Sequence, residues 1–428
     1  MNILISNVYS WKNKGDAAII LSMIDHIKSE FPNAVISISS IDEADEGKYQ
    51  ESNFHTNFLT LVKQIYGHSQ YTLLNRFSFA STVLSLKIKL KLFEFFANRN
   101  IFLYSLFHPR IIEKIRSYAK YDFVIAAGGG YFLSKNKKNK LESLFNHDEQ
   151  VLFAYDFYCA TFFNKPFMLY NQSIGPFYNR QDAENLLPFL TKANAVICRE
   201  TITYSLMKKL GLKNILLSED SAFNLKSFDD GSLIKFPKET DEISIGITVR
   251  VCLPDVQQKK YEDELSRFIT IILERHSKAK FYFMPQVIFE HAGDNDLHTA
   301  RRIFNSLPTN LHHRVNIIDE DFHPSVLKYF IGSMHYFFGT RMHSCIFALA
   351  SNVKTIALSY EPKTDGIMQS LKMDEYYIDV KDVEAEKLLD LYHKIQLDDN
   401  YYARLNKEVK RVQKESLIDL KKIVVGHI

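Results

Sequence analysis

Arg341 and His343, in the run Gly339-Thr340-Arg341-Met342-His343-Ser344, are the residues best suited to chemistry in this chain. The run follows a short apolar stretch, His335–Phe338, and opens an apolar helical stretch, Ser344–Ala350. A strand turning into a helix at that point leaves backbone N–H groups unpaired, and the helix dipole favours an anion there. Arg341 adds a permanent charge whose planar fork matches a carboxylate or a phosphate. His343 can move a proton near neutral pH. Taken alone, the same pair also reads as an arginine tied to a carboxylate beside a satisfied core histidine.

Other candidates fall at strand ends as well. Arg250 closes an apolar run, Ile243–Val249, and suits a second anionic group. Lys363 lies just past the following strand, in Tyr360-Glu361-Pro362-Lys363, and can join the same anion site together with Ser344. Gly15-Asp16 and the triplet Gly128-Gly129-Gly130 are glycine loops after strands, where a backbone can approach a ligand closely. Neither matches a dinucleotide or P-loop spacing. Asp16, Gly129 and Gln172, the last in Gln172-Ser173-Ile174-Gly175-Pro176, are weak candidates for holding a sugar acceptor, and Asp16 equally reads as a helix cap. Asp294-Asn295-Asp296 has the look of an Asp-x-Asp metal motif but directly precedes a helix, so capping is the expected role. No metal site is expected.

The elements that must position these residues alternate. Apolar runs of strand length (2–6, 34–39, 122–127, 167–170, 195–198, 215–217) are interleaved with helical periodicity, and the pattern restarts after a polar stretch, Asp229 to Asp241. Continuous apolar strands between helices indicate parallel sheets covered on both faces, and ligands then bind beyond the strands' carboxyl ends. The expectation is an α/β chain of two Rossmann-like domains facing a cleft (GT-B-like): 1–228, 242–385, and terminal helices over 386–428. A helical, basic, aromatic-rich insertion interrupts the first domain at about 56–120.

At 428 residues, two domains are the natural reading. A net charge of +3 argues against nucleic acid as a partner, but the charge is unevenly spread. Residues 61–120 carry ten Lys/Arg against Glu94 and Glu113, net +8, leaving −5 elsewhere. Within that segment Leu84, Ile88, Leu92, Phe95 and Phe96 with Lys87, Lys89 and Lys91 have the composition of an interfacial helix. It suits an anionic membrane surface or a diphosphate-linked lipid; the alternative is an ordinary helix with a solvated basic face. Four dispersed cysteines, Cys159, Cys198, Cys252 and Cys345, read as buried free thiols of a reducing compartment. The N-terminus reads as a strand and not a signal peptide, and no run is apolar enough to span a bilayer. The expected location is cytoplasmic, at most peripheral at the inner face of the membrane.

Taken in order, several pieces resemble the polysaccharide pyruvyl transferase family. They are Asn7 through Gly15-Asp16-Ala17, the glycine triplet, Gln172 to Pro176, Arg199-Glu200 with Ser205-Leu206 and Leu210-Gly211, Glu219-Asp220-Ser221-Ala222-Phe223, Gly246-Ile247 with Arg250, and Gly339 to Ser344 leading to Tyr360 and Lys363. Glu200 and Ser221 stand where the family pattern has Asp and Pro. The resemblance implies transfer of pyruvate from phosphoenolpyruvate to two hydroxyls of a sugar as a cyclic ketal. It implies no cofactor beyond phosphoenolpyruvate as co-substrate. The acceptor would be a bacterial surface glycan, preferably its polyprenyl-diphosphate-linked precursor. Arg250 and Arg341 would then hold the donor's carboxylate and phosphate, and His343 would protonate the enol carbon. A GT-B glycosyltransferase using a nucleotide sugar is the alternative.

Overall fold

The computed structural model describes the chain except residues 50–51, 67–80, most of 82–103, 134–152, 178–179, 233–240, 290–294 and 426–428. Two compact units emerge. The first comprises Met1–Trp11, Met23–Glu219 and Leu417–Ile428; the second comprises Lys12–Ser22 and Asp220–Ser416. The division differs from the expected one in three places. It falls at Glu219/Asp220 and not in the polar stretch after Asp229. The segment Lys12–Ser22, with Asp16, groups with the second unit. The last residues from Leu417 return to the first.

The first unit is an all-parallel sheet of β1 (Asn2–Val8), β2 (Val35–Ser40), β3 (Ser52–Thr56), β4 (Phe123–Ala126), β5 (Gly129–Phe132), β6 (Phe167–Ile174), β7 (Ala195–Cys198) and β8 (Ile215–Leu217). Their order is β3-β2-β1-β4-β6-β7-β8, with β5 also paired to β6. Its described helices are the later part of α1 (Lys14–Glu30), then α2 (Phe58–Tyr66), α3 (Pro109–Ser117), α4 (Tyr155–Phe162), α5 (Arg180–Leu190) and α6 (Thr201–Lys209). The interior strands β4, β6 and β7 are buried along their whole length, as both-face coverage requires. β6 runs on through Asn171-Gln172-Ser173, expected as a loop. Asn171 takes φ +44° where the β6–β7 register shifts, the signature of a bulge.

The second unit is a parallel six-stranded sheet, β11-β10-β9-β12-β13-β14. Its strands are β9 (Ile243–Thr248), β10 (Ala279–Phe283), β11 (Val315–Ile317), β12 (Tyr336–Gly339), β13 (Lys354–Ser359) and β14 (Tyr377–Asp379). Helices α7 (Asp255–Arg275), α8 (Asp296–Ser306), α9 (Pro324–Gly332), α10 (Met342–Ala350) and α11 (Pro362–Ser370) alternate with them, followed by α12 (Ala385–Gln396) and α13 (Tyr401–Glu415). A short helix α14 (Leu420–Val425) ends the chain in the first unit. The apolar faces of α7, α10 and α12 close over the sheet in one cluster.

Of the residues expected to form an interfacial helix in the basic insertion, Leu84, Lys87, Lys91, Phe95 and Phe96 lie outside the described residues. Within it, Leu86 is buried while Ile88 and Leu92 are exposed. No described helix is long and apolar enough to cross a membrane. Cys159, Cys198 and Cys345 are buried and Cys252 half-buried, all as free thiols.

Candidate active site

The carboxyl ends of β9, β12 and β13 lie side by side, and their register decides what meets there. Gly339 of β12 is level with Thr248 of β9 and Ala357 of β13. Arg250 and Arg341 therefore each stand two residues beyond paired positions on adjacent strands. Both charges act on Tyr360 and on Cys252, which lie at the same end of the sheet.

The turn from β12 into α10 is fastened by hydroxyls. Thr340 donates its amide to the Thr248 hydroxyl (3.1 Å) and its side chain pairs with the Tyr261 hydroxyl (2.6 Å). Ser344 is fully buried; its Oγ donates to the Arg341 carbonyl (2.6 Å) and lies 2.7 Å from the Thr248 hydroxyl. Its hydroxyl thus ties the junction together. Gly339 leaves no room for a side chain, since a Cβ would lie 2.4 Å from the Cys345 thiol.

Arg341 departs from expectation in a decisive way. Its Nε reaches both oxygens of Asp296 (3.0 and 3.2 Å) and its Nη2 donates to Asp296 Oδ1 (2.6 Å). Both residues are buried, at 8% and 1% exposure. Asp296 also accepts the backbone amides of Gln286 and Val287, each at 3.0 Å. Burial pushes its carboxyl up, against the opposing pull of Arg341 and the two amides. The helix cap of α8 is Asn295, whose Oδ1 accepts from Leu297 (2.9 Å). So the acid expected to cap a helix instead locks Arg341, and Asp294 lies outside the described residues.

Arg250 is held differently. Its guanidinium lies over the Tyr360 ring, 4.3 Å from the centroid, and Nη1 donates to the Tyr360 hydroxyl. Gln258 in α7 shapes the loop beneath it, donating to the Arg250 carbonyl (3.1 Å) and accepting from Cys252 and Leu253 (3.0 and 3.2 Å). Arg250 is half-buried. Burial pushes the Tyr360 phenol up. Lys363 sits in the first turn of α11, half-buried.

His343, in the first turn of α10, meets two residues that sequence reasoning did not assign to it. Its Nε2 lies 3.6 Å from Asp220 Oδ2, an ion-pair distance, and Asp220 Oδ1 is fixed by the Ala222 amide at 2.9 Å. On its other edge is Gly15, where a Cβ would stand 2.1 Å from Nδ1. The loop that brings Gly15 there is tied to the loop after β10, with the Lys14 amide donating to the Gln286 carbonyl (2.9 Å), and Lys14 Nζ is paired with Asp321. Asn13 caps α1, its Oδ1 accepting from Gly15 and Asp16 (3.2 and 3.4 Å). Asp16 is thus in the first turn, bonded to Asn13 Nδ2 (2.6 Å), and is not the cap.

Gly129 and Gln172 are in the first unit, where they are cross-strand partners between β5 and β6. Both are buried. Gln172 Nε2 donates to the Ala127 carbonyl and to the Tyr131 hydroxyl (2.8 Å). These bonds tie β6 to the segment that joins β4 and β5 and to β5 itself. Among the described residues, no three His, Cys, Asp or Glu side chains converge as metal ligands would.

The model of the polysaccharide pyruvyl transferase family matches residues 13–362, a span that contains Gly15, Asp220, Arg250, Asp296, Arg341 and His343. The chain belongs to this family. Among curated proteins it is similar to the amylovoran biosynthesis protein AmsJ of Erwinia amylovora, 24% identical over 92% of this chain and 94% of that protein. Solved structures share its fold at 9–10% identity. UDP-GlcNAc 2-epimerase from Neisseria meningitidis aligns with a TM-score of 0.57 over 100% of both chains. The spinosyn rhamnosyltransferase SpnG aligns with a TM-score of 0.53 over 99% of both. Family membership supports a transferase of polysaccharide biosynthesis; the structural likenesses speak to fold alone.

Proposed function

We propose that the chain is a phosphoenolpyruvate-dependent ketal pyruvyl transferase acting on a sugar of a bacterial surface polysaccharide or its lipid-linked precursor. Family membership supports the reaction. The observation that carries the site is Arg250 at the end of β9, a cation stacked on Tyr360, with a histidine in the first turn of the helix that follows the adjacent strand β12.

The donor carries a carboxylate and a phosphate. Arg250, Lys363 and the first-turn amides of α10 are the groups proposed to face it. Arg341, paired with Asp296, contributes by holding the turn in place. His343 gives a proton to the donor's methylene carbon, which becomes a methyl group, and C2 becomes an oxocarbenium-like centre. One sugar hydroxyl attacks C2 and loses its proton; the C2–O bond to phosphate breaks; a second hydroxyl closes the ring with loss of its own proton. The products are the ketal and inorganic phosphate.

The test is incubation with phosphoenolpyruvate and a lipid-linked glycan extract of the source cells. The expected result is release of phosphate together with a product heavier by pyruvate less water. Release of nucleoside diphosphate from nucleotide sugars, with none of phosphate from phosphoenolpyruvate, would establish a glycosyltransferase instead.

A further inference from the structure

Resting on the reading just given, we infer that Asp220 is the positioning residue for His343. It holds the proton on Nε2 and so sets the tautomer and tilt of the ring.

The argument starts from the two edges of the ring. Nε2 is buried and makes no hydrogen bond. A buried ring N–H without an acceptor is costly, and Asp220 Oδ2, 3.6 Å away, is an acceptor that a small rotation brings into range. Asp220 is itself anchored: it is 3% exposed, and its other oxygen caps the short helical turn Ser221–Asn224 through the Ala222 amide. It therefore presents Oδ2 from a fixed point. A carboxylate accepts only, so a nitrogen facing it is the one that carries hydrogen.

The Nδ1 edge lies against Gly15, the one residue type that adds no side-chain atom there. Every larger residue would occupy the space of the ring itself. A carboxylate on one nitrogen and a bare backbone at the other together fix the tautomer and the tilt. That is how a second side chain tunes a histidine without touching substrate.

The test uses the full chain with Asp220→Asn, Asp220→Glu and Asp220→Ala, and two readouts. The first is turnover with phosphoenolpyruvate and the glycan extract, alongside the phosphoenolpyruvate dissociation constant from calorimetry. Asp220→Asn should lower kcat by about 100-fold with the dissociation constant within twofold of wild type, since general acid catalysis is worth about 10²- to 10⁴-fold. Asp220→Glu should recover part of the loss, which a general folding defect would not allow. The second readout is the long-range proton–nitrogen spectrum of histidine-labelled protein, with the His343 signals assigned by their loss in His343→Gln. Wild type should show the Nε2–H form, and Asp220→Asn should lose that preference. Unchanged kcat in Asp220→Asn, or an unchanged His343 spectrum, overturns the inference. If wild type transfers no pyruvate, the proposed reaction fails and the spectrum alone decides the role of Asp220.

Discussion

Replacing Asp296 with alanine should cost more stability than most single changes in this protein, and the site geometry says how much. Asp296 receives five close contacts: three from the Arg341 guanidinium and two from the Gln286 and Val287 amides. At 1% exposure it has little access to solvent. Removing one partner of a buried ion pair typically costs about 3–5 kcal/mol, because the remaining charge is left uncompensated. Each orphaned amide adds about 1 kcal/mol or more, reduced by whatever water enters. A net loss of about 4 kcal/mol is expected. In a unit of this size, each kcal/mol moves the midpoint by about 2–4 °C, giving a drop of about 10 °C. Differential scanning calorimetry at neutral pH measures it. Asp296→Asn should lose about half as much, because a carboxamide oxygen still accepts an amide. Asp296→Ala combined with Arg341→Met should recover part of the loss, since no bare charge remains. A midpoint within 2 °C of wild type for Asp296→Ala would refute the buried-pair argument. Tighter phosphoenolpyruvate binding without loss of stability would return Arg341 to the donor site.

Arg250→Ala should weaken phosphoenolpyruvate binding by about 10- to 100-fold, the worth of a charge-assisted contact, whereas Tyr360→Phe keeps the stacked ring and should cost about fivefold; calorimetry with the donor alone distinguishes them. Gly15→Ala should lower turnover by about 100-fold while sparing donor affinity, because a Cβ 2.1 Å from Nδ1 forces the His343 ring to move; steady-state kinetics with matched binding data checks this. Lys328, 4% exposed and donating to the Leu225 carbonyl (2.6 Å), has its amine pushed down to about 8 by burial. The unfolded chain holds that proton up to its ordinary value of 10.5, so between pH 8 and 10.5 the unfolded state binds more protons and stability rises with pH. Relative to Lys328→Met, wild type should gain up to about 3 kcal/mol over that range, read from melting midpoints; a constant difference would show that the amine titrates normally.

The sheet interiors were legible because burial on both faces demands continuous apolar runs. Ala195–Cys198 shows this, buried throughout and a strand over the predicted residues; Ile215–Leu217, also a strand where predicted, is a half-buried edge. What escaped were positions where burial does not require an apolar residue. β3, Ser52–Thr56, is an edge strand with a polar sequence, and β14 is a three-residue edge. β5 begins in a glycine triplet, where Gly129 at φ +155° reads as a turn. Asn171 to Ser173 are polar yet fully enclosed, because their side chains and backbone bond to neighbouring loops, as Asn171 Nδ2 does with the Glu219 carbonyl (3.0 Å). A hydropathy pattern carries no trace of such partners.

The site divides along the same line. Arg250, Arg341 and His343 could be found because each sits where an apolar run stops. Asp296, Asp220 and Gly15 could not be paired with them, since the contacts span 45, 123 and 328 residues. Yet physical chemistry makes such partners necessary. A helix N-terminus already carries partial positive charge, and two arginines and a histidine beside it would repel one another in a poorly solvated setting. The protein must fold before any donor is present, so part of that charge has to be met internally. Asp296 meets Arg341, and Asp220 stands beside His343. Arg250 lies against the face and hydroxyl of Tyr360, which steady a cation. The conspicuous Arg341 therefore serves as the framework that sets the angle of the turn, and Arg250, stacked on Tyr360, is the arginine proposed to face the donor.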